Sequence, residues 1–280
     1  MTGPDFIVIG AMKCGTSTLA AQLGAQEGLF MTTPKEPNYF SDDAVFAKGP
    51  GWYEALFEGA RPGDLRGEAS THYTKRPDLP DTLPRMRAAL PEVRLVYMIR
   101  DPMVRLVSHY IHAWSEGWVS APLDRVIDSY TPLVDYGRYG WQITPFVEAY
   151  GAGAICLTSL ERLRADPGGE LTRIARHLGH AGPVAWQEDR ARDNVSAERM
   201  RKLPLHGLLI DNPVAAALRR ALVPKALRAR IRQGRQMQER PAIPEGAVAD
   251  LKARFLADRA LLAGHFPGDP SLDLAYPWAS

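Results

Sequence analysis

The sequence predicts an α/β fold: a central parallel sheet flanked by helices, with a helical cap at its C-terminal end. Three observations carry that expectation. From Asp5 to Gly179, short apolar runs alternate with segments of helical period, the pattern of strands paired in parallel through helical crossovers. A glycine-bounded, hydroxyl-rich loop joins the first such run to the first helix. Two cations, Lys13 and Arg100, each follow a strand-like run, so both are expected beyond the carboxyl ends of the strands, where such sheets bind ligands.

Element by element, Asp5–Ala11 reads as the first strand, Thr16–Gln26 as a helix and Leu65–Ala69 as a short strand. Pro84–Leu90 has a helical period, Arg94–Arg100 is a buried strand, and Pro102–Glu116 is a helix with proline in its first turn. Tyr139–Tyr150 is a further helix, Ala154–Ser159 a strand, and Gly169–Leu178 a helix stopped by Gly179. Beyond Gly179 no strand pattern remains. Ser196–Leu203, Leu205–Arg232 (interrupted by Pro213 and Pro224) and Glu245–Ala263 read as helices. No glycine–serine linker separates them from the rest. The chain 1–280 is therefore expected to be one domain, with an α/β core over 1–179 and a helical region over 180–280.

The loop is the most specific feature. Residues 6–19 read FIVIGAMKCGTSTL. Backbone N–H groups at a helix start point at an anion, the macrodipole favours negative charge, and Gly10 and Gly15 let the backbone approach. Lys13 adds a compact charge, while Thr16, Ser17 and Thr18 offer hydroxyls. This is a P-loop-like device for phosphate or sulfate. The ordinary nucleotide loop reads G-x-x-x-x-G-K-[ST], but here Thr16 stands where the lysine belongs and the lysine has moved to position 13. A γ-phosphate needs the displaced lysine, so the loop suits a different anion. Cys14, inside the loop, is expected to have a lowered thiol pKa. Arg100 suits a phosphate because its planar fork makes paired charge-assisted bonds. The run ending at Asp101 has the look of a metal-binding Walker B strand, but Arg100 beside the acid would repel the ion. No metal site is assigned, including at His109, His112 and Glu116, which share a helix face.

Segments in one order and spacing resemble sulfotransferases that use 3′-phosphoadenosine 5′-phosphosulfate (PAPS), in particular the heparan-sulfate-type enzymes and related bacterial members. The loop from Lys13 to Leu19 resembles the family's K-x-G-T-[ST]-x-L loop for the 5′-phosphosulfate. Pro34-Lys35-Glu36-Pro37-Asn38-Tyr39-Phe40 is similar to K-E-x-x-F-F, and Gly67-Glu68-Ala69-Ser70-Thr71-His72-Tyr73 to G-E-K-[ST]-P-x-Y. Val93 to Pro102, followed by Arg105, Ser108 and His109, resembles the 3′-phosphate signature. The resemblance runs from about Asp5 to Gly179 and implies in-line transfer of a sulfuryl group from PAPS to a hydroxyl or amine. The acceptor would be a carbohydrate, lipid or natural product, with adenosine 3′,5′-bisphosphate (PAP) as product and no metal.

The same resemblance implies roles. Lys13, Cys14, Gly15, Thr16, Ser17 and Thr18 would bind the 5′-phosphosulfate, with Lys13 stabilising the leaving phosphate. Arg100 and Ser108 would bind the 3′-phosphate, and Arg105 stands open between that phosphate and a structural role. Glu36 is the implied base, with a loop salt bridge to Lys35 as its bland alternative. His72 is the competing base, since Thr71-His72 is similar to the T-H of cytosolic phenol and steroid sulfotransferases. Glu68 is expected to orient its neighbours. Ala69 departs from the family, whose motif has lysine there, so a second cation near the sulfuryl group is missing or comes from elsewhere. Asn194-Val195-Ser196 is similar to a segment that closes over the nucleotide in bacterial members. A P-loop kinase or nucleotide hydrolase, and a catalytically silent nucleotide-binding homologue, are the alternative readings.

Bulk properties set limits. The 280 residues suffice for a full core; a net charge of +2 argues neither for nor against nucleic acid, and no nucleic-acid partner is expected. Residues 190–240 hold thirteen Arg or Lys against four Asp or Glu. That stretch could face an anionic substrate, contact a membrane surface peripherally, or be a solvated face. Cys14 and Cys156 are the only cysteines, which suits a reducing compartment. No apolar run is long enough to span a membrane, and a first strand starting near Asp5 leaves no room for a leader. A cytoplasmic protein is expected, and the arginine-rich, alanine-rich composition suggests a bacterial gene. Oligomeric state is not readable. Trp52, Trp114, Trp118, Trp141 and Tyr139 are expected mostly in the core.

Overall fold

The computed structural model describes residues 3–190, 237 and 239–279. The expected helices Ser196–Leu203 and Leu205–Arg232, the Asn194-Val195-Ser196 segment and most of the basic stretch 190–240 lie outside the described residues.

The chain opens with β1 (Phe6–Gly10), α1 (Thr16–Leu23) and β2 (Leu29–Met31). Two short helices, α2 (Asp43–Phe46) and α3 (Pro50–Ala55), lead to β3 (Leu65–Ala69), a 3₁₀ turn over Thr71–Thr74 and α4 (Thr82–Ala89). Then come β4 (Arg94–Ile99), α5 (Pro102–Glu116), α6 (Leu123–Val126), α7 (Pro132–Asp135), α8 (Tyr139–Tyr150) and β5 (Ile155–Ser159). Two helices, α9 (Leu160–Ala165) and α10 (Pro167–His177), complete the α/β part, and α11 (Glu245–His265) and α12 (Ser271–Leu274) follow.

Five strands form one parallel sheet in the order β2-β3-β1-β4-β5. β1 is its middle, and every residue of it is buried. A strand covered on both faces is apolar throughout rather than alternating, which is why FIVIG reads as it does. The chain leaves β1 towards β2 and β3 and later leaves β4 towards β5, so the order switches between β1 and β4. A crevice opens at the carboxyl ends of such a pair. Lys13 and Arg100 border it from its two sides.

Helix ends follow local chemistry. Asp101 caps α5 through bonds from the N–H groups of Met103 and Val104, Pro102 occupies its first position, and Gly117 closes it at φ 82°. The expected bounds of α5 and α8 match the structure. α1 ends at Leu23, earlier than expected, because Gly24 terminates it. α10 begins two residues earlier than expected, because the Asp166 carboxylate accepts the Gly169 N–H and Pro167 sits in the first turn. β2 was not expected; three residues are too few to show a period. Tyr139 is in the core as expected, whereas Trp118 is 54 % exposed, a departure from the buried place expected of it.

α11 packs along α8, burying Leu251, Phe255 and Leu262. Asp258 makes the polar link. Its carboxylate accepts the Gly140 N–H at 2.7 Å and the Trp141 N–H at 2.8 Å, donors in the first turn of α8 that no preceding carbonyl can reach. Burial pushes its pKa up from 3.8 to about 6, although those two bonds pull the other way. The folded chain therefore holds this proton more tightly than the unfolded chain, so the group's contribution is largest below the unfolded pKa and is lost as pH rises through about 6. In denaturant unfolding at about pH 5 and pH 7, wild type should gain stability over Asp258→Asn at the lower pH. Loss of wild-type stability relative to Asp258→Asn on acidification would contradict the buried charge.

Candidate active site

The anion loop is held by its neighbours. Ala11 donates its N–H to Met98 O at 2.7 Å, and Thr74 donates its hydroxyl to Ile9 O at 3.0 Å. The Thr74 hydroxyl passes so close that a Cβ at Gly10 would lie 2.1 Å from it. Gly15 sits at φ 92° as the N-cap of α1, with no side-chain cap. The first-turn N–H groups of Thr16, Ser17 and Thr18 are thus left facing the crevice end of the helix. Ser17 and Thr18 are half-buried, while Thr16 is buried. Lys13 takes a left-handed conformation at φ 67°, uncommon for a side-chain-bearing residue and frequent where a loop is shaped for function.

Cys14 corrects an expectation. Its side chain is fully buried, with Sγ 3.4 Å from the Tyr139 hydroxyl and 3.7 Å from Met12 O. Burial pushes the thiol up to about 11, outweighing the pull of Tyr139, Arg105 and Arg100. With the thiol buried, any contact from Cys14 to an anion is a backbone one.

Arg100 leaves the end of β4 and donates from Nη1 to Lys13 O at 3.4 Å. Its own carbonyl accepts the Tyr139 hydroxyl at 2.8 Å. Asp101 does not pair with it; that carboxylate caps α5 and accepts Trp278 Nε1 at 3.2 Å. An acid so employed is a poor Walker B ligand. Ser108 is half-buried on α5, two turns from Arg100. Arg105 is wholly buried, donating to Leu133 O and lying 3.4 Å from His109 Nδ1. Its open role resolves to a structural one. His109 stacks on Tyr136 in the interior.

Glu36 approaches from the β3 side. Its N–H bonds Ala69 O at 3.0 Å and the Asn38 N–H bonds the Ser70 hydroxyl at 3.2 Å, tying the loop to the end of β3. Glu36 and Asn38 both have positive φ, 61° and 54°. On the carboxylate, Oε1 accepts Lys35 Nζ at 2.6 Å and the Thr71 hydroxyl at 3.1 Å. The Lys35 salt bridge is therefore real, and it is compatible with a proton-accepting role for Oε2. Burial raises the pKa of Glu36, but the charge of Lys35 and the two hydrogen bonds outweigh it and hold the group below its ordinary value. His72, on the 3₁₀ turn, lies within the electrostatic reach of Glu36. Burial, then Lys75, lowers its pKa to about 4, so its imidazole is neutral at neutral pH.

Glu68 forms the wall behind both. It is completely buried and accepts the Tyr53 hydroxyl at 2.6 Å, the Tyr73 hydroxyl at 2.7 Å and the Ser70 hydroxyl at 2.7 Å. Burial raises its pKa. Since Ser70 in turn accepts from Asn38, Glu68 positions the Glu36 loop. Two residues here escaped the sequence reading. Tyr53 has no local signal, and Lys75, buried within the electrostatic reach of Glu36, is marked only as the first cation after the Glu68 strand. A groove of about 790 Å³ opens at the opposite end of the sheet, lined by Asp5, Arg66 and Arg94. Asp5 and Arg66 are already paired there at 3.3 Å, away from the crevice that holds the candidate site residues.

Comparisons with known proteins bear on the family and the fold. A family model described as "Sulfotransferase domain" matches residues 3–219. Mouse heparan sulfate glucosamine 3-O-sulfotransferase 3B1 is 27 % identical over 185 residues, which is 63 % of this chain and 46 % of that protein. The membrane-associated sulfotransferase kil1 of Dictyostelium discoideum is 34 % identical over 126 residues, 43 % of this chain and 26 % of its own length. The matches thus span about half or less of these relatives. A sulfotransferase crystal structure from Alicyclobacillus acidocaldarius is similar in fold, with TM-score 0.63 and 22 % identity over 97 % of this chain and 98 % of that one.

The two thiols give a direct check. Cys14 and Cys156 are both buried, and burial pushes each up to about 11. A thiol reagent at neutral pH should label neither in the native protein and both after denaturation. Fast native labelling of Cys14 would contradict the placement.

Proposed function

The chain belongs to the sulfotransferase domain family, and we propose that it moves a sulfuryl group from PAPS to a hydroxyl by in-line transfer. The observation that carries this reading is the convergence of three segments at the carboxyl ends of adjacent strands. The Lys13 loop follows β1, Arg100 follows β4, and the Glu36 loop is bonded to the end of β3.

Each residue then has a task. The N–H groups and hydroxyls of Thr16, Ser17 and Thr18, with the backbone of Cys14 and Gly15, hold the 5′-phosphate. Arg100 and Ser108 hold the 3′-phosphate, where the guanidinium fork matches a phosphate edge. Lys13 meets the charge that gathers on the leaving phosphate as the S–O bond lengthens. Glu36 takes the acceptor proton as the new O–S bond forms. Its lowered pKa keeps it ionised across the neutral range, and Lys35 and Thr71 fix its orientation. His72, neutral and within the field of Glu36, is the second proton acceptor in reach. PAPS supplies the sulfuryl group, and the chemistry needs no metal.

The mouse relative is named for action at the 3-O of glucosamine, which favours a sugar hydroxyl over a lipid or other natural-product acceptor. The described residues contain no helix long and apolar enough to cross a membrane. A cytoplasmic location and a peripheral role for the basic stretch 190–240 belong to this proposal as expectations from sequence.

Transfer of radiolabelled sulfate from PAPS to glycan acceptors tests the reading. Glu36→Gln should lower turnover by about 100-fold or more, the usual range for losing a general base, while leaving PAP affinity nearly intact. Unchanged turnover in Glu36→Gln would move the base role to His72.

A further inference from the structure

Lys75 follows directly on the 3₁₀ turn whose last residue, Thr74, bonds to Ile9 O. That bond holds position 75 beside the anion loop, at the carboxyl ends of β1 and β3. The side chain is only 7 % exposed. Its nitrogen lies 5.7 Å from the centre of the Tyr136 ring, and among the described residues no carboxylate reaches ion-pairing distance of it. Tyr136 gives its own hydroxyl to Asp78.

The charges around Lys75 come from several elements. Glu36 acts on it from the loop after β2, and Asp78 from the turn before α4. Lys75 in turn acts on His72 of the 3₁₀ turn and on His109 of α5. Lys13 acts on the same His109, so one ring lies within reach of both lysines. A buried ammonium with no carboxylate at ion-pairing distance is costly in a finished fold. The arrangement makes sense if an anion arrives there during function. Ala69, buried in β3, is the position at which the sulfotransferase strand motif has lysine.

We propose that Lys75 is the second cation of the transfer, facing the sulfuryl oxygens from the acceptor side in place of the lysine that Ala69 replaces. The inference rests on the sulfuryl-transfer reading. In the step it serves, the acceptor O–H proton passes to Glu36 and the acceptor oxygen bonds to sulfur. The S–O bond to the 5′-phosphate breaks with its electron pair going to that phosphate. Lys75 neither gives nor takes a proton; it must stay charged. Burial lowers its pKa to about 8, against the pull of Glu36 and Asp78, so turnover should fall as pH rises through that value.

PAP release from PAPS, measured with heparan sulfate as acceptor probe and with water alone, tests this. Lys75→Met should lower turnover by about 100-fold, the scale of one lost transition-state donor. Its PAP affinity, read by calorimetry, should stay near wild type, because PAP carries no sulfuryl group. Lys75→Arg should retain most turnover and lose the alkaline fall near pH 8, since guanidinium does not titrate there. Wild-type turnover in Lys75→Met, or the same alkaline fall in Lys75→Arg, overturns the proposal. The pH comparison of wild type and Lys75→Arg decides it even if the methionine variant fails to fold. A wild-type protein that releases no PAP sinks the sulfuryl-transfer reading itself, whereas an active enzyme indifferent to Lys75 sinks only this inference.

Discussion

The hydrogen bonds around the carboxyl end of β1 are the constraint on which the site depends. Val8 O accepts the Ser70 N–H at 3.0 Å, Ile9 O accepts the Thr74 hydroxyl at 3.0 Å, and the Ala11 N–H goes to Met98 O at 2.7 Å. One buried strand end thus fixes the start of the anion loop, the turn that carries His72 and leads into Lys75, and the last residues of β4 before Arg100. Each loop reaches the crevice from a different strand, yet none is independent of β1. Such a scaffold suits chemistry that depends on positioning and charge rather than on a reactive nucleophile.

Charge is distributed to match. The acids behind the crevice are already employed: Glu68 by three hydroxyls, Asp101 by the start of α5, and Glu36 in part by Lys35 and Thr71. The cations are less committed to protein partners, Arg100 touching a carbonyl and Lys75 an aromatic ring. A cleft built this way favours an incoming polyanion. Glu36 is the exception, an ionised acid in a cationic setting, which suits a group that must accept a proton at neutral pH.

The sequence was legible wherever the chemistry is local. The anion loop could be read because glycines, a lysine and hydroxyls follow one another between a strand and a helix. α5 could be bounded because Asp101, Pro102 and Gly117 mark its ends. What depends on tertiary packing could not be read. The direction of the Cys14 side chain is set by Tyr139, 125 residues away, so the field expected to activate the thiol gave way to burial. Arg105 stood open between the phosphate and a structural role, and the turn of α5 faces it inward. The partnership of Glu68 with Tyr53 and the clamp of Asp258 on α8 join residues with no spacing in common. Lys75 becomes notable only when the 3₁₀ turn folds it against Tyr136.

Calorimetry with PAP in magnesium-free buffer tests the central claim most directly, namely that β1 and β4 together grip a nucleotide phosphorylated at both the 5′ and 3′ positions. The account predicts that PAP binds without the metal and that adenosine 5′-monophosphate, lacking the 3′-phosphate, binds at least about tenfold more weakly for the loss of its charge-assisted bonds. Absence of heat with PAP, together with tight magnesium-dependent binding of ATP, would contradict it.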